Sequence, residues 1–379
     1  MIPNQWYAIL RSEDVKKKKP VGIRRFNKNL VVYRDTAGRV VCLADRCAHK
    51  GVPLSHGQQH GDYIACPYHG FQYDSNGRCV HMPVLGKNGV VPKHMQVPSF
   101  TVQEQHGLIW CWTGEQVPEQ LPEVPMFKEF AEYTGFTSRY AWHAPTHYTR
   151  YVESVCEVYH VPFVHKGSAL NIWDPKGGRV DDFSCHLEGT LIRSDFVLRP
   201  DDERTAEETL KARLPWTRGW RIGVDVQMPN MVQIRNDVFD VYLIATPIDD
   251  ENCWLCICYK EPKRDLLFPM VKPLPIPGWR RVRPWLMCRM ERFIQQSKDM
   301  AALKGQTPKI SSLEANRLIS VDKVNAYYLR LRDQLIQEAQ AQAQSQVGAT
   351  SSQRAANEQE ALPCEIKPIH ILPHKPQAA

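Results

Sequence analysis

The residues best able to do chemistry lie close together. From Cys47 to Gly70 the chain reads CAHKGVPLSHGQQHGDYIACPYHG, a Cys-x-His and a Cys-x-x-His separated by sixteen residues. Two thiolates and two imidazoles on paired short loops can hold one zinc ion tetrahedrally. They can equally hold a [2Fe-2S] cluster in which two histidines replace two cysteines on one iron. A second pair, His160 and His165, follows in RYVESVCEVYHVPFVHKGS. On a continuous helix these two would stand about 140° apart around the axis and share no face. Pro162 biases Val161 out of the α region, so the helix is expected to end near His160 and let the chain turn His165 back. Two imidazoles with a distant carboxylate make the facial triad of non-haem iron sites, which leaves coordination positions open.

The flanks favour the iron-sulfur reading of the first pair. A zinc finger usually sets a helix under its second ligand pair, whereas CAHKGVPL and CPYHGFQYDSNGRC are loops punctuated by glycine and proline between strand-like runs. On these residues the stretch resembles the Rieske iron-sulfur signature, with Gly51, Pro67, Tyr68 and Gly70 also in agreement. The resemblance makes Cys47, His49, Cys66 and His69 the cluster ligands. Mixed ligation removes negative charge from the cluster and raises its potential from roughly −400 mV to about −150 to +300 mV.

From residue 4 to about 335 the chain resembles the catalytic (alpha) subunit of Rieske non-haem iron oxygenases, the aromatic-ring-hydroxylating family. HVPFVHKG is similar to that family's histidine pair, and Asp299 in QQSKDMAALKGQ matches its late aspartate, with Glu291 and Asp322 as neighbouring acids. The resemblance implies that His160, His165 and Asp299 bind a mononuclear Fe(II). It implies that electrons from NAD(P)H arrive through a separate ferredoxin and/or flavin reductase, and that O2 is used to hydroxylate, or oxidatively dealkylate, a small organic substrate. No GxGxxG is present to bind a dinucleotide in this chain, in keeping with a separate reductase. Glu157 stands where the family usually has aspartate, and Glu153 where asparagine is frequent. The family's acid bridges a cluster histidine of one subunit to an iron histidine of its neighbour, which implies a homotrimer and gives Glu157 that electron bridge. Glutamate keeps the charge and adds a methylene. Substrate hints diverge between quaternary amines and chlorophyll derivatives.

These residues need elements to position them. Short runs with turns from Asn4 to Trp112, including VVY and VVCLA around Asp35–Gly38, predict an all-β module over residues 1–115. GEQVPEQLPEVP carries three prolines and is expected to form a linker over 116–125. Residues 126–338 then read as helix, antiparallel strands and long helix, an α+β helix-grip (START-like) catalytic domain. Met228, Met231, Gln233, Asn236 and Tyr242 are expected on strand faces toward the iron. The polar tract from residue 339 to 379 is expected to be disordered, with no role for Cys364 or the final histidines.

Composition excludes several classes. Net charge is +7, spread out except at Lys16–Lys19, with no basic-aromatic stripe for a nucleic-acid groove. No apolar run reaches the roughly 18 residues of a membrane span and the start lacks a signal-peptide pattern, so a cytoplasmic location is expected. Twelve cysteines then argue for ligands and buried thiols rather than disulfides. Cys256 and Cys258 are expected as buried strand residues, and His143 and His147, split by Pro145, as a non-ligand pair. Two rivals stand beside the oxygenase: an electron carrier with an appended ligand-binding domain, and a zinc-stabilised ligand carrier, neither with oxygenase activity.

Overall fold

The computed structural model describes residues 1–114, 117–165, 178–200, 220–236, 239–261 and 278–358. Its first third is built of hairpins because apolar β-formers are cut every few residues by turn formers. Lys28–Arg34 and Val40–Ala44 pair antiparallel, and Gly38, at φ +85°, closes the turn by donating to the Asp35 carbonyl at 3.0 Å. That hairpin sits between Val21–Arg25 and Ser99–Phe100 in a four-stranded sheet. Another four-stranded sheet joins Gln58–His60, Tyr63–Ala65, Gln72–Tyr73 and Cys79–His81. A three-stranded one joins Trp6–Arg11, Leu108–Trp112 and Val102–Gln105.

Beyond the proline stretch lies a seven-stranded antiparallel sheet. Thr137–Ala144 forms one edge, followed by Cys253–Lys260, Asp240–Pro247, Met231–Asn236, Trp220–Gln227, Leu191–Pro200 and, at the other edge, Gly178–Glu188. The Tyr148–Cys156 and Trp279–Ile294 helices and the start of Lys323–Glu358 cover one face. Tyr151, Val155, Cys288 and Tyr328 pack there on Val224, Val232, Leu243 and Ile257. This is the expected all-β module followed by an α+β domain.

The opposite face is covered by the N-terminal module. Trp6, Trp110 and Trp112 share a core with Phe127, Phe130, Tyr242, Ile244, Trp254, Cys256 and Cys258. Each fully buried aromatic of this kind contributes about 2–3 kcal/mol of transfer free energy. The proline stretch is tied in as well: the Trp6 indole donates to the Pro122 carbonyl at 2.8 Å and Val124 is buried. Residues 1–336 form one compact unit.

Burial on both faces corrects the expected lining of the iron side. Met231 and Tyr242 belong to the core shared with the N-terminal module, and Gln233 donates to the Tyr242 hydroxyl at 3.2 Å within it. Asn236 accepts from the Phe239 N–H. Only Met228 of the five lies in the helix-side core, where Val224, Val232, Val241 and Leu243 supply the strand residues. The polar tract also differs from expectation, since the last helix runs on to Glu358. Alanine, glutamine and glutamate are strong helix formers, so a polar composition is compatible with helix. Cys364 and the final histidines lie outside the described residues. Among the described residues no helix is long and apolar enough to cross a membrane.

Candidate metal centres

The two cysteine loops are built alike. The N–H of Cys47 donates to the Val52 carbonyl at 2.9 Å and that of Cys66 to Phe71 at 2.8 Å. Gly51 donates back to Cys47 at 2.9 Å, and Gly70 to Cys66 at 3.0 Å. Both glycines adopt positive φ, +74° and +71°, which an L side chain adopts only at a cost. Each loop therefore curls its cysteine inward and raises its histidine. Cys47 and Cys66 are buried, whereas His49 and His69 stand at the surface with their Nδ1 atoms 3.1 Å apart. Phe71 stacks beneath His49, Tyr68 lies over His69, and the Tyr73 hydroxyl sits 3.1 Å from the Cys47 sulfur. Both cysteines are free thiols, and burial pushes the Cys66 pKa upward.

The spread of the donors separates the two possible occupants. Tetrahedral zinc, with bonds of about 2.0–2.3 Å, needs all four donor atoms within about 4 Å of each other. Among the described residues the set whose ligand atoms all lie within 4.8 Å is His160, His165 and Asp299, and the four cluster residues do not form such a set. Inner thiols and outer imidazoles spread this way suit a two-iron cluster.

The second centre is assembled from distant segments. The Tyr148–Cys156 helix starts at His147, whose Nδ1 accepts from the Thr149 N–H. Burial, with Arg332 and Arg150 nearby, pushes the His147 pKa down to about 3, so the cap is neutral. The helix stops at Cys156 because Glu157 leaves helical geometry, at φ −108° and ψ 65°. A short Val158–His160 turn and the single turn Val161–Val164 follow. The break therefore precedes Pro162 by five residues and is not caused by it. Pro162 occupies the first turn of the next segment, where a missing N–H costs nothing.

This double turn brings the histidines together. The Glu157 carbonyl accepts from His160 Nδ1 at 2.7 Å, which fixes that tautomer and leaves Nε2 free as a ligand. His165 Nε2 lies 2.7 Å and His160 Nε2 3.5 Å from Asp299 Oδ1. Burial opposes charge on Asp299, but the two imidazoles more than offset it and hold its pKa below the ordinary value. Burial likewise disfavours the His160 cation, and Asp299 outweighs it to give a raised pKa. The donor set is that of a 2-His-1-carboxylate iron site.

Asp299 closes a π-helical segment, Gln295–Asp299, wedged between Trp279–Ile294 and Met300–Leu303. The wider turn re-aims the carboxylate, and Ser297 marks it by donating to the Phe293 carbonyl four residues back at 2.7 Å. A chain of buried polar groups steadies this turn. Tyr151 donates to Gln295 Oε1 at 2.7 Å, Gln295 donates to Glu291 at 2.8 Å, and the Tyr259 hydroxyl donates to Glu291 at 3.2 Å. Glu291 is thus occupied structurally, and Asp322 accepts from Tyr159. Sequence reasoning passed over Tyr73, Tyr151, Tyr159 and Gln295. Ser297 was the one local sign of the widened turn.

The remaining sequence candidates fall elsewhere. Cys256 and Cys258 are buried with sulfurs 3.9 Å apart in the shared core, and His143 is exposed on its strand while His147 caps a helix. Glu157 is half-buried beside the triad, its pKa pushed up to about 7 by burial despite His160, with the Tyr159 hydroxyl 3.2 Å from its carboxyl.

Comparison with known proteins bears on the first centre and on the fold. Residues 5–101 match the Rieske [2Fe-2S] domain family. The oxygenase component of dicamba O-demethylase from Stenotrophomonas maltophilia is 32% identical over 168 residues, 44% of this chain and 49% of that protein. The oxygenase component of chloroacetanilide N-alkylformylase from Rhizorhabdus wittichii is 39% identical over 114 residues, 30% of this chain and 32% of that one. Protein TIC 55 of Pisum sativum, a chloroplast protein, is 31% identical over 42% of this chain and 29% of its own length. These matches span half or less of each curated relative. Dicamba monooxygenase bound to 3,6-dichlorosalicylic acid superposes with a TM-score of 0.67 at 21% identity, covering 90% of this chain and 99% of that one. NdmA of Pseudomonas putida CBB5 with caffeine gives 0.66 at 19% identity, covering 89% and 94%. At these identities the likeness carries the fold.

Proposed function

The chain is related to the catalytic components of Rieske non-haem iron oxygenases, and from that kinship we propose that it is an oxygenase component that hydroxylates or oxidatively dealkylates a small organic substrate. The observation that supports this most is the convergence of the His160 and His165 pair with Asp299, which is remote from them in sequence, into a set whose ligand atoms all lie within 4.8 Å of one another. When bound, the cluster supplies electrons one at a time and the mononuclear iron supplies oxygen activation.

The chain's own residues prepare that chemistry. Cys47, His49, Cys66 and His69 would hold the cluster, with the histidines outward. Arg46 and Lys50 flank a surface groove of about 560 Å³ beside them, a basic landing for an acidic electron donor, which we take to be a ferredoxin or flavin reductase. Residues 1–115 serve as the electron-accepting module and 126–338 as the catalytic one. The Glu157 carbonyl orients His160, and the Tyr151–Gln295–Glu291–Tyr259 chain holds the turn that aims Asp299. Val158 and the neighbouring apolar residues of the helix-side core keep water from its flank. Glu157, at the helix break, links the iron side to a cluster histidine of a neighbouring copy in a homotrimer. Dealkylation is the favoured outcome, since O-demethylase and N-alkylformylase components are among its relatives. We place the protein in the cytoplasm, although chloroplast proteins are among those relatives.

Purified protein should be coloured and carry about three irons per chain. With NADH and a surrogate reductase it should consume O2 in step with loss of an O- or N-alkyl substrate. Colourless protein holding zinc, or a coloured protein with cluster iron alone, would sink the proposal.

A further inference from the structure

Glu157 has three side-chain torsions and sits at a break in the helix, where no regular element holds it. A long side chain that must present its carboxyl in one direction loses most of its rotamer freedom, unless another group already restrains it. Tyr159 supplies such a restraint. Its one hydroxyl proton is shared between Asp322 Oδ1 and Glu157 Oε2, the latter at 3.2 Å, while its ring packs against the helix-side core. Asp322 is itself fixed, being buried and accepting the Ile319 N–H at 2.8 Å through its other oxygen. The segment leading to Asp322 is pinned to the Tyr148–Cys156 helix one turn before Glu157, where Ser311 and Asn316 donate to Glu153, which also pairs with Arg150. One phenolic hydroxyl thus spans two carboxylates, one anchored to the start of the last helix and one near the triad.

We infer that Tyr159 and Asp322 are positioning residues for Glu157, forming a clasp that sets the direction of its carboxyl toward a neighbouring copy. The inference rests on the reading of Glu157 as the inter-subunit link. The clasp gives the longer acid a fixed reach, with Asp322 as the anchor, Tyr159 as the arm and Glu157 as the tip.

The test is a mutant cycle on the intact, metal-loaded protein, followed by the recovery of visible cluster absorbance when reduced protein meets O2 and substrate. Tyr159→Phe keeps the ring and removes only the hydroxyl. It should slow that recovery about tenfold, the scale of one hydrogen bond, with iron content, cluster spectrum and substrate Kd unchanged. In the Glu157→Gln background the same change should cause no further slowing. In metal-free protein, the shifts in Tm caused by Tyr159→Phe and Asp322→Asn should be smaller together than their sum. Recovery at the parent rate in Tyr159→Phe, or an equal slowing in both backgrounds, overturns the clasp while leaving the role of Glu157 standing. Recovery at the parent rate in Glu157→Gln removes the link itself, and the clasp with it.

Discussion

The two candidate centres are made in opposite ways. The cluster site is local: four ligands fall between Cys47 and His69, on two loops that repeat the same hydrogen bonds and the same left-handed glycine. The triad is tertiary, with two histidines raised by a broken helix and one aspartate aimed by a widened turn far down the chain. A local site is held by its own backbone, so it tolerates change elsewhere and fails when a loop residue changes. A tertiary site depends on every element between its parts, and its weakest points lie in side chains that touch no ligand.

The largest effect that can break this contrast is removal of a triad ligand. Asp299→Ala should lose the mononuclear iron and lower turnover by more than about a hundredfold, beyond what outer partners alone cost, while the visible spectrum of the cluster stays intact. A bleached cluster would show that the two sites are not separately built. Next, Gln295→Leu should cut the steadying chain behind Asp299 and weaken iron binding roughly tenfold to a hundredfold, read by iron titration. An unchanged affinity would mean that the π segment holds itself.

Smaller effects sharpen the local side. Gly70→Ala forces a Cβ onto a residue at φ +71° and to within 3.1 Å of Pro83, at a cost of about 1–2 kcal/mol. Cluster absorbance should then be lost at a lower temperature than in the parent, with triad iron retained. The mildest concerns His147. Its folded pKa of about 3 lies below the ordinary value of 6.5, so the unfolded chain binds a proton that the folded chain refuses. Its stabilising contribution is full above pH 6.5 and falls by up to about 1.4 kcal/mol per unit as pH drops toward 3. His147→Asn keeps a capping side chain and should flatten that part of the stability-pH curve; an unaltered slope would assign it to other groups.

What could be read from the chain alone follows the same division. The Rieske-type domain was legible because its motif is confined to two neighbouring loops. His160 and His165 were legible as a pair, but the helix was expected to end near His160 on account of Pro162 and instead ends at Cys156, since a proline reads as a stop when it can equally begin the next turn. Asp299 was one acid among neighbours, and nothing in its immediate sequence announces a π segment except Ser297. The strand faces were misread for a different reason. Alternation tells in from out only when one face is wet, and here both are covered, so Met231 and Tyr242 look no different from residues on the helix side.

The shared tryptophan core also bears on modularity. Trp6, Trp110 and Trp112 are finished by Phe127, Phe130 and Trp254 from across the proline stretch. A cluster module cut away at that stretch would carry an apolar scar where its partner had been, and a transplanted one would meet a surface not shaped for it. Exchanging modules between relatives should therefore need the seam residues of both sides to travel together. Along the described residues the seam also ties the cluster module to the seven-stranded sheet through buried rings, so the proline stretch is not all that joins them.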